Sequence, residues 1–207
     1  MDLFFDVDGV LLNFEHSFVA FLNREYSLGL APDYETPSWT FEELFSLEEA
    51  QAAWHRYMES GDCGRMAPLV EPRAFNALAT GHRVHLLTNF PTRHMEKRQA
   101  NLAALGFAFQ SLHHCGLHVQ ESVRPPTKAD LVQRLRRTGH PALFVDDHPE
   151  NCLDVLRNCP GVEVWLMSRG FNRDFHHPAI VRTEGWPELI RRLEAPNGRA
   201  AAGVRGR

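Results

Sequence analysis

Residues 3–12, Leu-Phe-Phe-Asp-Val-Asp-Gly-Val-Leu-Leu, constrain the fold more than any other stretch. An apolar run meets two carboxylates spaced i, i+2, then a glycine, then apolar residues again. Leu3 to Val7 is too short for a helix and suits a buried strand. Asp6 and Asp8 then stand where that strand ends, and Gly9 lets the backbone turn sharply. Residues two apart on an extended chain point the same way, so the two carboxylates share one small space. Their repulsion is relieved by a cation, or by a proton held on one of them. A calcium loop of the EF-hand type would need Gly at its sixth position and Glu at its twelfth. Counted from Asp6, those positions hold Leu11 and Ser17. A surface turn with two solvated acids is the other alternative, and the apolar residues on both sides argue against it.

Beyond residue 70, strands and helices alternate. Glu71-Pro72 opens a helix through Ala79, with Pro in the first turn, and Gly81 ends it. Val84 to Thr88 is a short apolar strand. Thr92 is placed to cap a helix running to Leu105, stopped by Gly106. Ser111 to Cys115 reads as a third strand. Thr127 caps a helix through Arg136, ended by Gly139. Ala142 to Val145 is a fourth strand, Pro149 to Leu156 a helix, Val162 to Met167 a fifth strand and Trp186 to Leu193 a closing helix. The alternation predicts an α/β fold, a Rossmann-like doubly wound parallel sheet with helices on both faces. Ligands in such sheets bind beyond the carboxyl ends of the strands.

Residues 14–70 read differently. Phe14, Phe18, Phe21 and Leu22 recur at helical spacing. Pro32 and Pro37 interrupt the next stretch. Phe41, Leu44 and Phe45, then Ala50, Ala53, Trp54 and Tyr57, predict two further helical pieces and no strand. This block holds ten acids and three strong bases, leaving the rest of the chain basic by comparison. The expected division is therefore a core from 1–13 and 71–195, a helical insertion at 14–70 right after the first strand, and a disordered tail at 196–207 that lacks apolar periodicity.

Composition excludes several function classes. At 207 residues and 43% hydrophobic, with 14 Phe, the chain can bury a real core. A net charge of −4 gives no electrostatic case for a nucleic-acid polymer as partner. No apolar run approaches the ~18 residues of a membrane span. A first strand at residue 3 leaves no room for a leader, and Cys63, Cys115, Cys152 and Cys159 form no Cys-x-x-Cys pair. The expected setting is cytoplasmic, with reduced thiols.

Polar residues close three of the strands. The first gives Asp6 and Asp8, the second Thr88 and Asn89, and the fourth Asp146 and Asp147. Lys128 lies at the start of the helix preceding the fourth strand. If the strands are neighbours, these groups converge on one point. Singly, each has a plainer reading: Thr88 as a turn hydroxyl, Asn89 as a helix cap, Lys128 as a solvated charge, and the acidic pair as a turn before Pro149.

Taken in order, the four stretches resemble the signature of the haloacid dehalogenase (HAD) superfamily. Asp6-x-Asp8-Gly9-Val10-Leu11 matches its first motif in full. A strand ending in Thr88, a Lys on the helix before the last motif, and an acidic pair after a strand complete it. The resemblance implies a helical cap at 14–70 that closes over the active site. It implies a Mg2+-dependent phosphomonoester hydrolase acting on a small phosphorylated metabolite. In it Asp6 attacks phosphorus to form an aspartyl-phosphate, and Asp8 serves as general acid and then base. Asp6 and Asp147 would bring carboxylates to the metal and Asp8 its backbone carbonyl. Asp146 would act through water or orient a ligand. Thr88, the Asn89 N–H and Lys128 would hold the phosphate oxygens. An acid at position 8 sets phosphatases and phosphomutases apart from the dehalogenases of the superfamily.

The layout is also similar, more weakly, to the 5′(3′)-deoxyribonucleotidases. It shares the helical cap, the Asp-Asp pair and a closing Trp186-x-Glu188-Leu189 helix. The second motif departs, with Thr88-Asn89-Phe90-Pro91 where those enzymes favour Thr-Ser-Pro. A phosphotransferase or phosphomutase keeps the same residues. A catalytically retired fold that only binds a phosphorylated ligand is a further alternative, against which all the motif residues stand intact. The cap aromatics read mainly as core, with one or two available to stack on a flat substrate. His113-His114-Cys115 with His118 fits no standard zinc spacing. His176-His177 reads as a loop pair. Arg93 and Arg98 follow the second motif, and Arg93, though within reach of a phosphate, reads as a solvated helix position.

Overall fold

In the computed structural model, residues 1–115 and 125–194 are described. Among them, six parallel strands form one sheet: β1 (Asp2–Asp6), β2 (Arg83–Thr88), β3 (Ser111–His114), β4 (Ala142–Asp146), β5 (Val162–Met167) and β6 (Val181–Thr183). Their order is β3-β2-β1-β4-β5-β6. From β1 the chain winds first to one edge and then, through β4, to the other. Residues Phe5 and Val145 face each other across the β1–β4 pair. That pair is the point where the winding reverses, the place where doubly wound sheets bind ligands.

Side-chain alternation along each strand divides the core in two. Leu3, Phe5, Val84, Leu86, Leu143, Val145, Trp165 and Met167 lie in one apolar cluster. Phe4, Leu87, Phe144, Val164 and Leu166 lie in the other. The first cluster takes in α3 (Pro72–Ala79) and α7 (Trp186–Glu194), whose Trp186 meets Phe5 at a tilt and Phe75 edge-on and donates its indole N–H to Val10 O at 2.7 Å. The second is covered by α5 (Lys128–Leu135) and α6 (Pro149–Asn158). Helices on both faces answer the near-continuous apolar character of the strands.

Between β1 and α3 stand α1 (Phe14–Tyr26) and α2 (Leu47–Ser60). Asn13 caps α1 through the His16 N–H, and Ser46 with Glu49 forms a capping box on α2. Their aromatics pack on one another, with Tyr57 against Phe14, Phe18 and Phe21. The chain entering this segment is tied to the chain leaving it by Asn13 N–H to Ala67 O and Leu69 N–H to Leu11 O, at 2.9 and 2.8 Å.

Three expectations need correction. Phe41 to Phe45 is a turn, not a helix. Phe41 adopts a left-handed backbone (φ 55°), which carries its ring onto Phe18, 5.0 Å between centroids. The helix assigned to Thr92 begins at Met95 as α4 (Met95–Leu105), after a 3-10 turn over Thr92–His94. The tighter winding of that turn delays the regular helix by one turn. The short edge strand β6 was not expected. Helix α5 is capped as expected by Thr127, in a capping box with Asp130. The expected tail at 196–207 lies outside the described residues. All four cysteines are free and buried. Among the described residues no helix is long and apolar enough to cross a membrane.

Candidate active site

Asp6 ends β1 and Asp146 ends β4, on the two strands that flank the winding reversal. Asp147 follows directly. One carboxylate oxygen from each of Asp6, Asp146 and Asp147 lies within 4.8 Å of the others, and all three residues are buried. Lys128, in the first turn of α5, reaches in between them. Its Nζ stands 2.8 Å from Asp6 Oδ1 and 2.7 Å from Asp146 Oδ2. Burial alone would push this ammonium's pKa down, but the two carboxylates outweigh it and hold it above the usual range. Burial also pushes the Asp6 carboxyl well up. Lys128 opposes that, and the neighbouring Asp146, Asp147 and Asp8 add to it. Asp147 is raised to about 7 by burial and by Asp146, against Arg169 and Lys128.

The three acids are not held alike. Asp146 is the most fully bonded. It accepts from Lys128, from His148 N–H at 2.8 Å and from Asn151 Nδ2 at 3.1 Å. Asp6 accepts from the Val7 N–H at 2.7 Å. Among the described residues, Asp147 Oδ1 is buried with no hydrogen-bond partner. A buried oxygen left so is costly unless something else satisfies it. Three clustered carboxylates, one with an orphaned oxygen, are a hard-oxygen donor set that fits a divalent cation such as Mg2+. The chain makes room for this arrangement at Gly9. A Cβ there would stand 1.8 Å from Asp147 Oδ2, and the residue's φ of +82° is one that side-chain-bearing residues rarely adopt.

Asp8 points elsewhere. Its Oδ2 accepts from the Thr88 hydroxyl at 3.0 Å, and its Oδ1 meets the Arg98 guanidinium at 2.5 Å. The Thr88 hydroxyl, fully buried at the end of β2, accepts in turn from the Phe90 N–H. Asn89 follows, half-buried, its Oδ1 facing the Cys115 thiol at 3.7 Å. All the residues expected from the motifs therefore gather at one end of the sheet. Lys128 is committed to Asp6 and Asp146, and Thr88 to Asp8.

Two arginines escaped the sequence reading. Arg98, which carried no role in that reading, is fully buried. It shares the inward face of α4 with Asn101 and Leu102, and a charge on that apolar stripe was the available signal. Arg93 is exposed, as expected. Arg169 stands two residues beyond β5, at the same carboxyl end as the motif residues. Its Nε donates to Gly9 O at 2.8 Å, and its Nη2 contacts the same oxygen. It thus braces the turn after β1 from the side opposite β2.

A narrow cleft opens beside Asp8, Gly9 and Asp147, with Phe14, Trp39 and Phe171 among its walls. Trp39, nearly half exposed, belongs to the segment between α1 and α2. It meets His148 and Phe171 edge-on at 4.9 and 5.1 Å. The histidines set aside as a zinc site are otherwise engaged: His113 bonds Ser111, and His114 bonds Phe90 O. His118 lies outside the described residues. Asp6, Asp146 and Asp147 are the one metal-competent cluster among the described residues.

No protein-family model and no curated protein matches the sequence. Solved structures do match. A HAD-superfamily hydrolase of subfamily IA from Geobacter sulfurreducens is 20% identical at a TM-score of 0.58, covering 93% of this chain and 95% of that one. The D,D-heptose 1,7-bisphosphate phosphatase of B. bronchiseptica, crystallised with magnesium and phosphate, is 14% identical at 0.53, covering 93% and 98%. An L-2-haloacid dehalogenase from Xanthobacter autotrophicus is 14% identical at 0.53, covering 80% and 76%. The fold of this chain is accordingly the HAD fold, as the motifs led one to expect.

Proposed function

We propose that the chain is a Mg2+-dependent phosphomonoesterase that works through an aspartyl-phosphate on Asp6. The observation that carries this reading is the buried Asp6–Asp146–Asp147 cluster with Lys128 at its centre, next to a separately held Asp8. The dehalogenase match shares the fold, but an acid at position 8 favours phosphate chemistry, because an alkoxide leaving group needs a proton and a haloacid's halide does not.

In the first step Asp6 attacks phosphorus as the ester P–O bond breaks, and Asp8 delivers its proton to the departing oxygen. In the second Asp8 takes a proton from water. The water oxygen bonds to phosphorus, the Asp6–phosphate bond breaks, and inorganic phosphate leaves. Lys128 holds Asp6 in line and offsets part of the negative charge that gathers there. Mg2+, held by Asp6, Asp147 and the Asp8 backbone carbonyl, would offset the charge of the incoming phosphate when bound.

The cleft's mixture of Trp39, Phe171 and the acids supports a small phosphorylated metabolite with a flat leaving group, a nucleoside monophosphate being the first to try. The helical segment at 14–70 then serves as the cap, and its acidity disfavours a polyanionic polymer. The test is phosphate release from nucleoside monophosphates, sugar phosphates and an aryl phosphate, with Mg2+ or with chelator. Turnover that needs Mg2+ and vanishes in Asp6→Asn is expected. Turnover by Asp6→Asn at the wild-type rate would overturn the mechanism. Release from sugar phosphates alone would overturn the nucleotide preference.

A further inference from the structure

Arg98 is fully buried, yet almost nothing around it calls for a cation. Its guanidinium lies 4.1 Å from the Phe90 ring centroid. Nη1 faces Asn101 Oδ1 at 3.3 Å and the Met66 sulfur at 3.8 Å, and among the described residues Nε has no partner. Among the described residues its ion pair is with Asp8 alone, at 2.5 Å. Replacing a buried charge pair by apolar groups is often neutral or stabilising, so packing does not explain a guanidinium here. Its effect is on Asp8. One carboxylate oxygen is fixed by Arg98 from α4 and the other by Thr88 from β2.

We propose that Arg98 is a positioning residue that holds the Asp8 carboxylate in line with the leaving-group oxygen. The inference rests on the phosphatase reading and deepens it. Asp8 is two residues past the end of β1, on a turn, where a free side chain would sample several rotamers. Clamped at both oxygens it has one. The Phe90 ring seats the guanidinium through a cation–π contact, which makes the second motif, Thr88 to Phe90, the base of the clamp. The enzyme is thereby built for esters whose leaving oxygen must be protonated, such as alkyl phosphates of sugars or nucleosides, rather than for aryl or acyl phosphates that depart unaided.

The test compares kcat/KM for an alkyl phosphate that the wild type accepts with kcat/KM for p-nitrophenyl phosphate. Variants are Arg98→Met, Arg98→Lys and each of these in an Asp8→Asn background. The ratio of the two constants does not depend on how much of a variant is folded, so partial loss of fold leaves the comparison valid. The ratio should fall about 100-fold in Arg98→Met, the cost of misplacing a general acid by roughly 1 Å. Arg98→Lys, which keeps the charge, should recover part of it. In the Asp8→Asn background the ratio should move less than about threefold, because the clamped group is gone. An active wild type whose ratio is unmoved by Arg98→Met and Arg98→Lys would overturn the inference while leaving the phosphatase reading intact. The same full drop on top of Asp8→Asn would do so as well. A wild type that releases phosphate from neither substrate would overturn that reading, and the inference with it.

Discussion

Gly9 is the position where sequence, backbone and the proposed metal site meet most tightly, and Gly9→Ala separates their contributions. Its φ of +82° costs an alanine about 1–2 kcal/mol. In a chain of this length that lowers Tm by roughly 2–8 °C. The larger consequence is local. Real Cβ contacts stay beyond 3.0 Å, whereas an alanine Cβ would begin 1.8 Å from Asp147 Oδ2. The carboxylate or the loop must retreat by more than about 1 Å, while Mg2+–oxygen bonds tolerate only ~0.2 Å around 2.0–2.1 Å. Gly161→Ala is the control, because its φ is +84° with nothing within 4 Å of the new methyl. Both variants should melt a few degrees early in chelator. On titration with Mg2+, wild type and Gly161→Ala should rise in Tm together. Gly9→Ala should need at least ~10–100-fold more Mg2+ for the same rise, the usual cost of disturbing a metal ligand's setting. A Gly9→Ala protein with wild-type Mg2+ response would refute Asp147 as a ligand in this geometry.

Two further outcomes follow from buried charges. Lys128→Met leaves Asp6 and Asp146 facing each other without their shared cation, and should cost about 3–5 kcal/mol in urea unfolding with chelator present. A loss under about 1 kcal/mol would contradict the role given to that pair of contacts. His85 is buried against Phe4 and bonded to Ser111, and burial lowers its pKa from 6.5 to about 4. Between those values the unfolded chain carries a proton that the folded chain does not. Its contribution is therefore present above pH 6.5 and lost as the pH falls toward 4, by at most about 3 kcal/mol. His85→Gln should flatten the stability profile in that window, and an unchanged slope would assign the acid sensitivity elsewhere.

The sheet was legible because parallel strands buried on both faces leave short apolar runs, and because chemistry-bearing residues stand where those runs stop. Asp6, Thr88 and Asp146 are each the last residue of a strand. What the pattern could not carry was adjacency. That β1 lies beside β4, some 140 residues later, is a property of the winding. It alone turns three strand ends into one site. Val181–Thr183 is too short for any period to register. Phe41 and Phe45 have helical spacing, yet Phe41 is pulled into a left-handed turn by the aromatic cluster it joins. Arg98 was passed over for a similar reason. An arginine on a helix is usually solvated, and only the tertiary approach of α4 to the turn after β1 gives it a buried partner.

The charges in the site explain why these features belong together. Asp6, Asp8, Asp146 and Asp147 face two buried cations, Lys128 and Arg98, with Arg169 bound to the Gly9 carbonyl beside them. Fully ionised, four carboxylates exceed that positive charge even before a phosphate dianion arrives. Burial first, and the neighbouring carboxylates after it, raise the pKa of Asp6 and of Asp147. On the proposed mechanism a proton would satisfy the excess but remove the nucleophile, since a protonated Asp6 cannot attack. A divalent cation satisfies it and leaves the carboxylate free to react. The separation of Asp8 from the cluster completes the logic. Its carboxylate is held by Thr88 and Arg98 instead of within the cluster. On the proposed mechanism, one strand end would thus present a nucleophile and an acid two residues apart without either neutralising the other.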